Sequence, residues 1–169
     1  MPEAIRSAWL RWLALAAAVA VADQLTKWWI EAVLEPGERI TVAPFFDLVL
    51  AFNRGAAFSF LADASGWQRV FFIAVAVVAS AVILYLLRKH QGERLFSFGL
   101  ALILGGALGN LWDRLVLGHV VDFLLLHAYG YHWPAFNLAD SAITLGAGLL
   151  IYDSFRGTRR GERLKTSGR

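Results

Sequence analysis

Cysteine is absent from the 169 residues, which excludes disulfides, a thiolate nucleophile and a cysteine-ligated metal. Charge is scarce as well. Asp, Glu, Lys and Arg make up 17% of the chain, against about 25% in an average soluble domain. The formal charge of +3 is too small to suggest a nucleic-acid partner. In place of charge there is hydrophobic mass: 58% of residues are apolar and mean hydropathy is +0.55. These residues gather in long runs rather than amphipathic periods, so the composition points to membrane spans. No internal repeat, low-complexity segment or separable second domain is visible, and the chain reads as one domain over 1–169.

Four stretches have the character of spans. They are about 9–33, broken by Asp23, Gln24 and Lys27; about 70–87, with no charge; about 95–112, uncharged until Asp113; and about 138–155, with Asp140 near its start. The pattern predicts an all-α membrane protein of four transmembrane helices. Lys and Arg set its orientation. Arg6, Arg11, Arg88, Lys89, Arg94, Arg156, Arg159, Arg160, Arg163, Lys165 and Arg169 fall on one side, and Lys27, Arg39, Arg54, Arg69 and Arg114 on the other. Both termini are therefore expected in the cytoplasm, with 35–68 and 113–137 facing outward. Arg6, Arg11 and the following alanine-rich run up to Ala20-Val21-Ala22 mimic a cleavable secretory signal. The apolar pattern resumes at Trp28-Trp29-Ile30, however, and Asp23 and Lys27 share a helical face at i,i+4, so the segment reads as a retained span.

The first outer segment is β-prone. Ile40, Val42, Phe45, Phe46, Leu48, Leu50 and Phe52 partly alternate, and Pro36-Gly37, Pro44 and Gly55 punctuate them, which predicts a small sheet in 35–68 against the membrane surface. From about 157 the chain reads as a mobile basic tail suited to anionic lipid head groups.

Ionisable groups in or beside spans are costly and mark functional sites by default. Here Asp23, Asn53, Asn110, Asp113, Arg114, Asp122, Asn137 and Asp140 all fall at or near the outer ends of helices. A ring of polar groups at one depth suggests a site; a proton or ion path would place them at several depths. Ser59 and Ser141 lack a histidine at a telling spacing, and His119, His127 and His132 are not spaced as a helical zinc motif. Carboxylates remain. Asp122 lies in Val120-Val121-Asp122-Phe123-Leu124 and Asp140 in Phe136-Asn137-Leu138-Ala139-Asp140, with Gly130 and Pro134 between them allowing the chain to turn back.

Two facing carboxylates suffice for peptide hydrolysis. Each has a reference pKa of about 3.9, but at close range and partly desolvated they share one proton. The ionised member takes a proton from water, the protonated one gives a proton to the scissile carbonyl oxygen, and the roles reverse as the amine leaves. No metal or other cofactor is required. Alone, either Asp reads as a helix cap or an ion-pair partner; as a pair inside the polar ring they read as catalytic.

The same residues carry a resemblance. Asp23-Gln24-x-x-Lys27, Asn53-Arg54-Gly55-Ala56-Ala57-Phe58-Ser59, Gly105-Gly106-Ala107-Leu108-Gly109-Asn110-Leu111-x-Asp113-Arg114, Val120-Val121-Asp122-Phe123 and Phe136-Asn137-x-Ala139-Asp140-Ser141-Ala142 occur in that order. The chain thereby resembles the bacterial lipoprotein signal peptidases (signal peptidase II) over nearly its whole length. The resemblance implies an inner-membrane aspartyl peptidase that cuts prolipoproteins before a diacylglyceryl-modified cysteine. It also implies a site open laterally to lipid, inhibition by the cyclic peptide globomycin, and Asp122 and Asp140 as the catalytic pair.

Asn53, Asn110 and Asn137 are then amides able to hold substrate backbone or orient the acids, and Arg114 pairs with an acid or braces carbonyls through its fork of donors. Asp23 either supports the site or pairs structurally with Lys27. Gly105, Gly106 and Gly109 read as close-packing positions, Asp113 as a local cap or pair, and Asp47, Asp63 and Asp153 as solvated or interfacial. A monomer is able to hold the whole site. Two rival readings are a small proton-coupled transporter or channel and a non-catalytic assembly protein. The first would need charged groups on the second span or deep in the third, where there are none; the second predicts that Asp122→Asn and Asp140→Asn leave activity intact.

Overall fold

The computed structural model describes residues 3–55, 66–90 and 92–166, with side chains described from residue 9 up to residue 156. The expectations for Ala56, Ala57, Phe58, Ser59 and Asp63 lie outside the described residues. In chain order the elements are α1 (Glu3–Val33), β1 (Arg39–Ala43), β2 (Phe46–Asn53), α2 (Trp67–Lys89), α3 (Arg94–Val116), β3 (Val120–Ala128), β4 (Tyr131–His132) and α4 (Leu138–Thr166).

Three stretches, Trp9–Val33, Trp67–Lys89 and Arg94–Val116, are long and apolar enough among the described residues to cross a membrane. The fourth long helix, α4, starts where the sequence placed it but runs on to Thr166. The tail expected from about 157 is helical up to that point, consistent with its Arg, Glu, Leu and Lys, all good helix formers. The third helix also outruns its expected end and carries Asp113 and Arg114 in its last turns.

Helix α3 is the axis of the bundle, packed by α4, α1 and α2. Leu100 and Leu104 of α3 meet Ala16, Ile83 and Leu87 in the main core. Two neighbouring glycines set the spacing. A Cβ on Gly105 would lie 2.6 Å from the Ala16 carbonyl oxygen, and one on Gly106 would run into the Ala139 carbonyl oxygen. Only hydrogen fits at either contact, the way small residues let helix backbones approach in lipid. The outer face of α2 is bare, with Val70, Val75, Val78 and Tyr85 all exposed, and suits contact with lipid tails.

The sheet corrects the expectation for the outer segments. It has four antiparallel strands in the order β1-β2-β3-β4, so the second outer segment supplies two of them. Phe46 pairs with Leu126, Ala51 with Asp122 and Asn53 with Val120. Val120–Leu126 is a nearly continuous apolar run buried on both faces over much of its length, and such a strand shows no alternation in sequence. Ile30, Leu34, Leu50, Val121 and Phe123 seal the sheet onto the end of α1.

Asp47 departs from its expected exposure. It is 1% exposed, with Oδ2 3.2 Å from Arg39 and 3.0 Å from His127 Nε2. Neither contact has hydrogen-bond alignment. His127 in turn stacks on His132 across the β3–β4 pair, while His119 lies against the Phe52 ring.

Candidate active site

Two local features bring the acids together. Helix α3 ends in a glycine turn: Gly118 has φ +81°, and its N–H and that of Leu117 both donate to the Asp113 carbonyl. This left-handed stop sends the chain into β3 alongside the helix it has just left. The β3–β4 hairpin then turns at Tyr129-Gly130, both at positive φ, as two-residue hairpin loops require. The return leg docks on β3, with the N–H groups of Phe123 and Leu124 donating to the Phe136 carbonyl. Asn137 and Asp140 therefore arrive beside Asp122, although Asp140 is 18 positions away in sequence.

Asn137 caps α4. Its Oδ1 accepts from the Asp140 N–H at 2.9 Å, as an N-cap side chain does for the third helical residue. Asp140 thus sits in the first turn of α4, where the helix end favours negative charge.

A cleft of about 670 Å³ opens over these residues. Its polar floor is Asn53, Asn110, Arg114, Asp122 and Asp140, and its walls include Leu126, Trp133, Phe136, Ile143 and Leu145. Asp122 is 2% exposed. Its oxygens accept from Asn137 Nδ2 at 2.7 Å and Asn53 Nδ2 at 3.0 Å, and Asp140 Oδ1 accepts from Asn110 Nδ2 at 2.8 Å. Burial, helped by the nearby Asp140 charge, pushes the Asp122 carboxyl up to about 7, against the pull of the two amides and Lys27.

The three amides share one logic. An amide can turn either its oxygen or its NH₂ towards a neighbour. In each case a group that only donates claims the oxygen: the Gly55 N–H for Asn53 (2.9 Å), Lys27 for Asn110 (3.0 Å) and the Asp140 N–H for Asn137. The NH₂ end is left to face a carboxylate.

Of the supporting residues expected from the sequence, Asn53, Asn110 and Arg114 line the cleft and Asn137 lies fully buried behind it. Arg114 braces backbone, donating to the carbonyls of Gly55 (3.0 Å) and Asn110 (3.2 Å), and its guanidinium lies over Phe72. Asp23 stands off the cleft. It pairs with Lys27 at 2.7 Å and accepts the Ala139 N–H at 2.8 Å, so it anchors the first turn of α4.

Beneath the cleft Asp113, a member of the polar ring that was read as a local cap or pair, meets Gln24 and Lys27, to which the sequence gave no role in the site. Lys27 bridges Asp23 and Asp113, the latter at 2.8 Å, and Gln24 Nε2 donates to Asp113 Oδ1 at 2.7 Å. Asp113 also accepts the Val121 N–H, tying α3 to the strand that carries Asp122. The signal was present in the spacing: Asn110 and Asp113 lie at i,i+3 and so share one helix face.

The arrangement is one of two carboxyls at the floor of an apolar-walled cleft, one raised to near neutrality, with aligned donors and no thiol in the chain. It is suited to acid–base hydrolysis. Residues 15–156 match the model of the family described as signal peptidase (SPase) II. The chain is 55% identical over 150 residues to a lipoprotein signal peptidase of Janthinobacterium sp. (strain Marseille), covering 89% of this chain and 91% of that one. It is 60% identical over 149 residues to one of Azoarcus sp. (strain BH72), covering 88% and 85%. A solved bacterial membrane enzyme superposes with a TM-score of 0.79 at 31% identity, covering 88% of this chain and 89% of that one. A second does so at 0.75 and 32%, covering 85% and 91%. The chain belongs to the signal peptidase II family and is a peptidase.

Proposed function

We propose that this chain removes signal peptides from diacylglyceryl-modified prolipoproteins, cutting before the lipidated cysteine, with Asp122 and Asp140 as a dyad that activates water. The observation that carries the reading is the shared cleft floor, where both acids are held by amide donors and burial pushes Asp122 up to about 7. The names of the relatives supply the substrate class.

In this mechanism Asp122 holds the shared proton and Asp140 is the ionised member. A water between them loses a proton to Asp140 while its oxygen attacks the scissile carbonyl carbon. Asp122 gives its proton to the carbonyl oxygen, forming a neutral gem-diol. When the C–N bond breaks, Asp140 returns a proton to the leaving amine and Asp122 recovers one from a diol hydroxyl. Arg114 and Asn53 are placed to steady the substrate backbone at the cleft edge.

Four helices span the bacterial inner membrane in this reading, with both termini cytoplasmic and the sheet on the outer face, as the distribution of Lys and Arg requires. Apolar cleft walls built from Ile143 and Leu145 favour entry of the lipidated substrate from the bilayer, and a globomycin-type cyclic peptide would occupy the same cleft. Membrane lipids are then partners of the bare helix faces, and one chain holds every residue the reaction uses.

The test is cleavage of a purified prolipoprotein, followed by gel shift, with and without the diacylglyceryl group. Asp122→Asn and Asp140→Asn are each expected to lose about a thousandfold or more in kcat while still binding uncleaved substrate, and the unmodified substrate to be cut poorly. Normal cleavage by either variant would overturn the dyad, and loss of wild-type activity to a chelator would point to the histidines and a metal instead.

A further inference from the structure

We propose that Lys27, which lies outside the cleft, is a positioning residue for the peptidase reaction: it fixes the amide of Asn110 so that its NH₂ end is aimed at Asp140. The proposal rests on the reading of Asp140 as a member of the catalytic dyad.

Lys27 is 2% exposed. Its ammonium has three neighbours and three protons to give: Asp23 Oδ2 at 2.7 Å, Asp113 Oδ2 at 2.8 Å and Asn110 Oδ1 at 3.0 Å. The first two complete an ion pair between α1 and α3. A purely structural bridge would be finished there. The third contact is different in kind, because it reaches a residue of the cleft floor whose other end holds Asp140 at 2.8 Å.

The direction of that amide is not set by Asp140 alone. A carboxyl whose protonation changes through the cycle offers acceptors at one stage and a proton at another, so the Asn110 amide facing it would have reason to turn. An ammonium only donates. It holds Oδ1 on its own side at every stage and leaves Nδ2 for Asp140. Asn137 Nδ2 also reaches Asn110 Oδ1, at 3.2 Å, but the same group serves Asp122 Oδ1 at 2.7 Å and the Val121 carbonyl at 3.2 Å. Lys27 is therefore the one charged hold on the Asn110 oxygen among the described residues. It acts on the acid through Asn110 and does not line the cleft.

The test uses the full-length protein in detergent with lipidated prolipoprotein. Lys27→Met alone strands two buried carboxylates, so it is paired with Asp113→Asn, which keeps the net charge of the buried group. This pair is expected to lose about a hundredfold in kcat, the scale of a misplaced catalytic group, with KM within about threefold. Adding Asn110→Ala should then cost no more than about a further threefold, since the donor it removes is already misaimed. A kcat within threefold of wild type, or a further hundredfold loss on adding Asn110→Ala, overturns the proposal.

If the pair does not fold, Asn110→Asp decides the matter. Lys27 can still hold one oxygen of the new carboxylate, but the other faces Asp140 across the 2.8 Å contact, so the melting temperature falls while the fold is kept, and with the donor to Asp140 gone kcat falls about a hundredfold. An active Asn110→Asp overturns the proposal. Activity in Asp140→Asn would instead mark failure of the dyad reading itself.

Discussion

Asp122 shows how a residue's neighbours decide its chemistry. Strand β3 buries it and Asp140 adds a like charge, so its carboxyl moves from the usual 3.8 up to about 7. The sign of the pH dependence follows. The folded chain holds this proton more tightly than the unfolded chain, so the stability it contributes is full below about 3.8 and is lost as pH rises through about 7. Under the proposed dyad mechanism cleavage follows the same titration, because a fully ionised dyad has no acid to protonate the carbonyl oxygen. A pH–rate profile is expected to fall above about 7, approaching tenfold per unit, whereas the melting temperature drops between about pH 4 and 7 and levels off above that. A profile that stays flat to pH 9 would contradict the assignment of the proton to Asp122. Asp122 and Asp140 could be singled out from sequence because an acid inside an apolar run is conspicuous. Asp47 could not be placed that way: its burial depends on Arg39 from the neighbouring strand and His127 from another outer segment.

Among the elements, α4 is the one whose position matters most to the dyad, since its first turn carries Asp140 and is pinned from two sides. Asp23 of α1 takes the Ala139 N–H, and Gly106 of α3 lies directly against the Ala139 carbonyl. Gly106→Ala must push that turn away, at a cost of about 1–3 kcal/mol in stability and about tenfold to a hundredfold in kcat. Gly105→Ala, which instead meets Ala16 and Val19 of α1, is the comparison: similar destabilisation with a much smaller loss of kcat. Thermal melts and single-turnover cleavage on both variants check this, and equal losses of kcat would contradict it. The sequence marked both glycines as packing positions, but which helix each one faces depends on how the bundle closes.

For the whole molecule, the outward placement of the sheet and cleft is the claim to test, and the lack of cysteine makes the test clean. Single cysteines at Tyr131, 82% exposed on β4, and at Lys89, exposed at the far end of α2, should respond oppositely to a membrane-impermeant maleimide. In intact spheroplasts Tyr131→Cys should label and Lys89→Cys should not; after permeabilisation both should. Labelling of Lys89→Cys in intact cells would reverse the orientation drawn from the charge count.

By itself the sequence determined the long apolar helices and drew attention to the polar residues, Asp122 and Asp140 among them, that the fold gathers at one cleft. Long uncharged runs have few stable alternatives in lipid, and a carboxyl among apolar residues is costly enough to be conspicuous. The tertiary structure decided what those residues face. It joined both outer segments into one sheet, because an unalternating strand such as β3 shows its partner only when paired. It put Asp23, which the sequence left between site support and a pair with Lys27, in an ion group with Lys27 and Asp113 that holds α1, α3 and the start of α4 together. It also gave each asparagine a direction, since an amide's orientation depends on which neighbour can only donate, and those neighbours come from other parts of the chain.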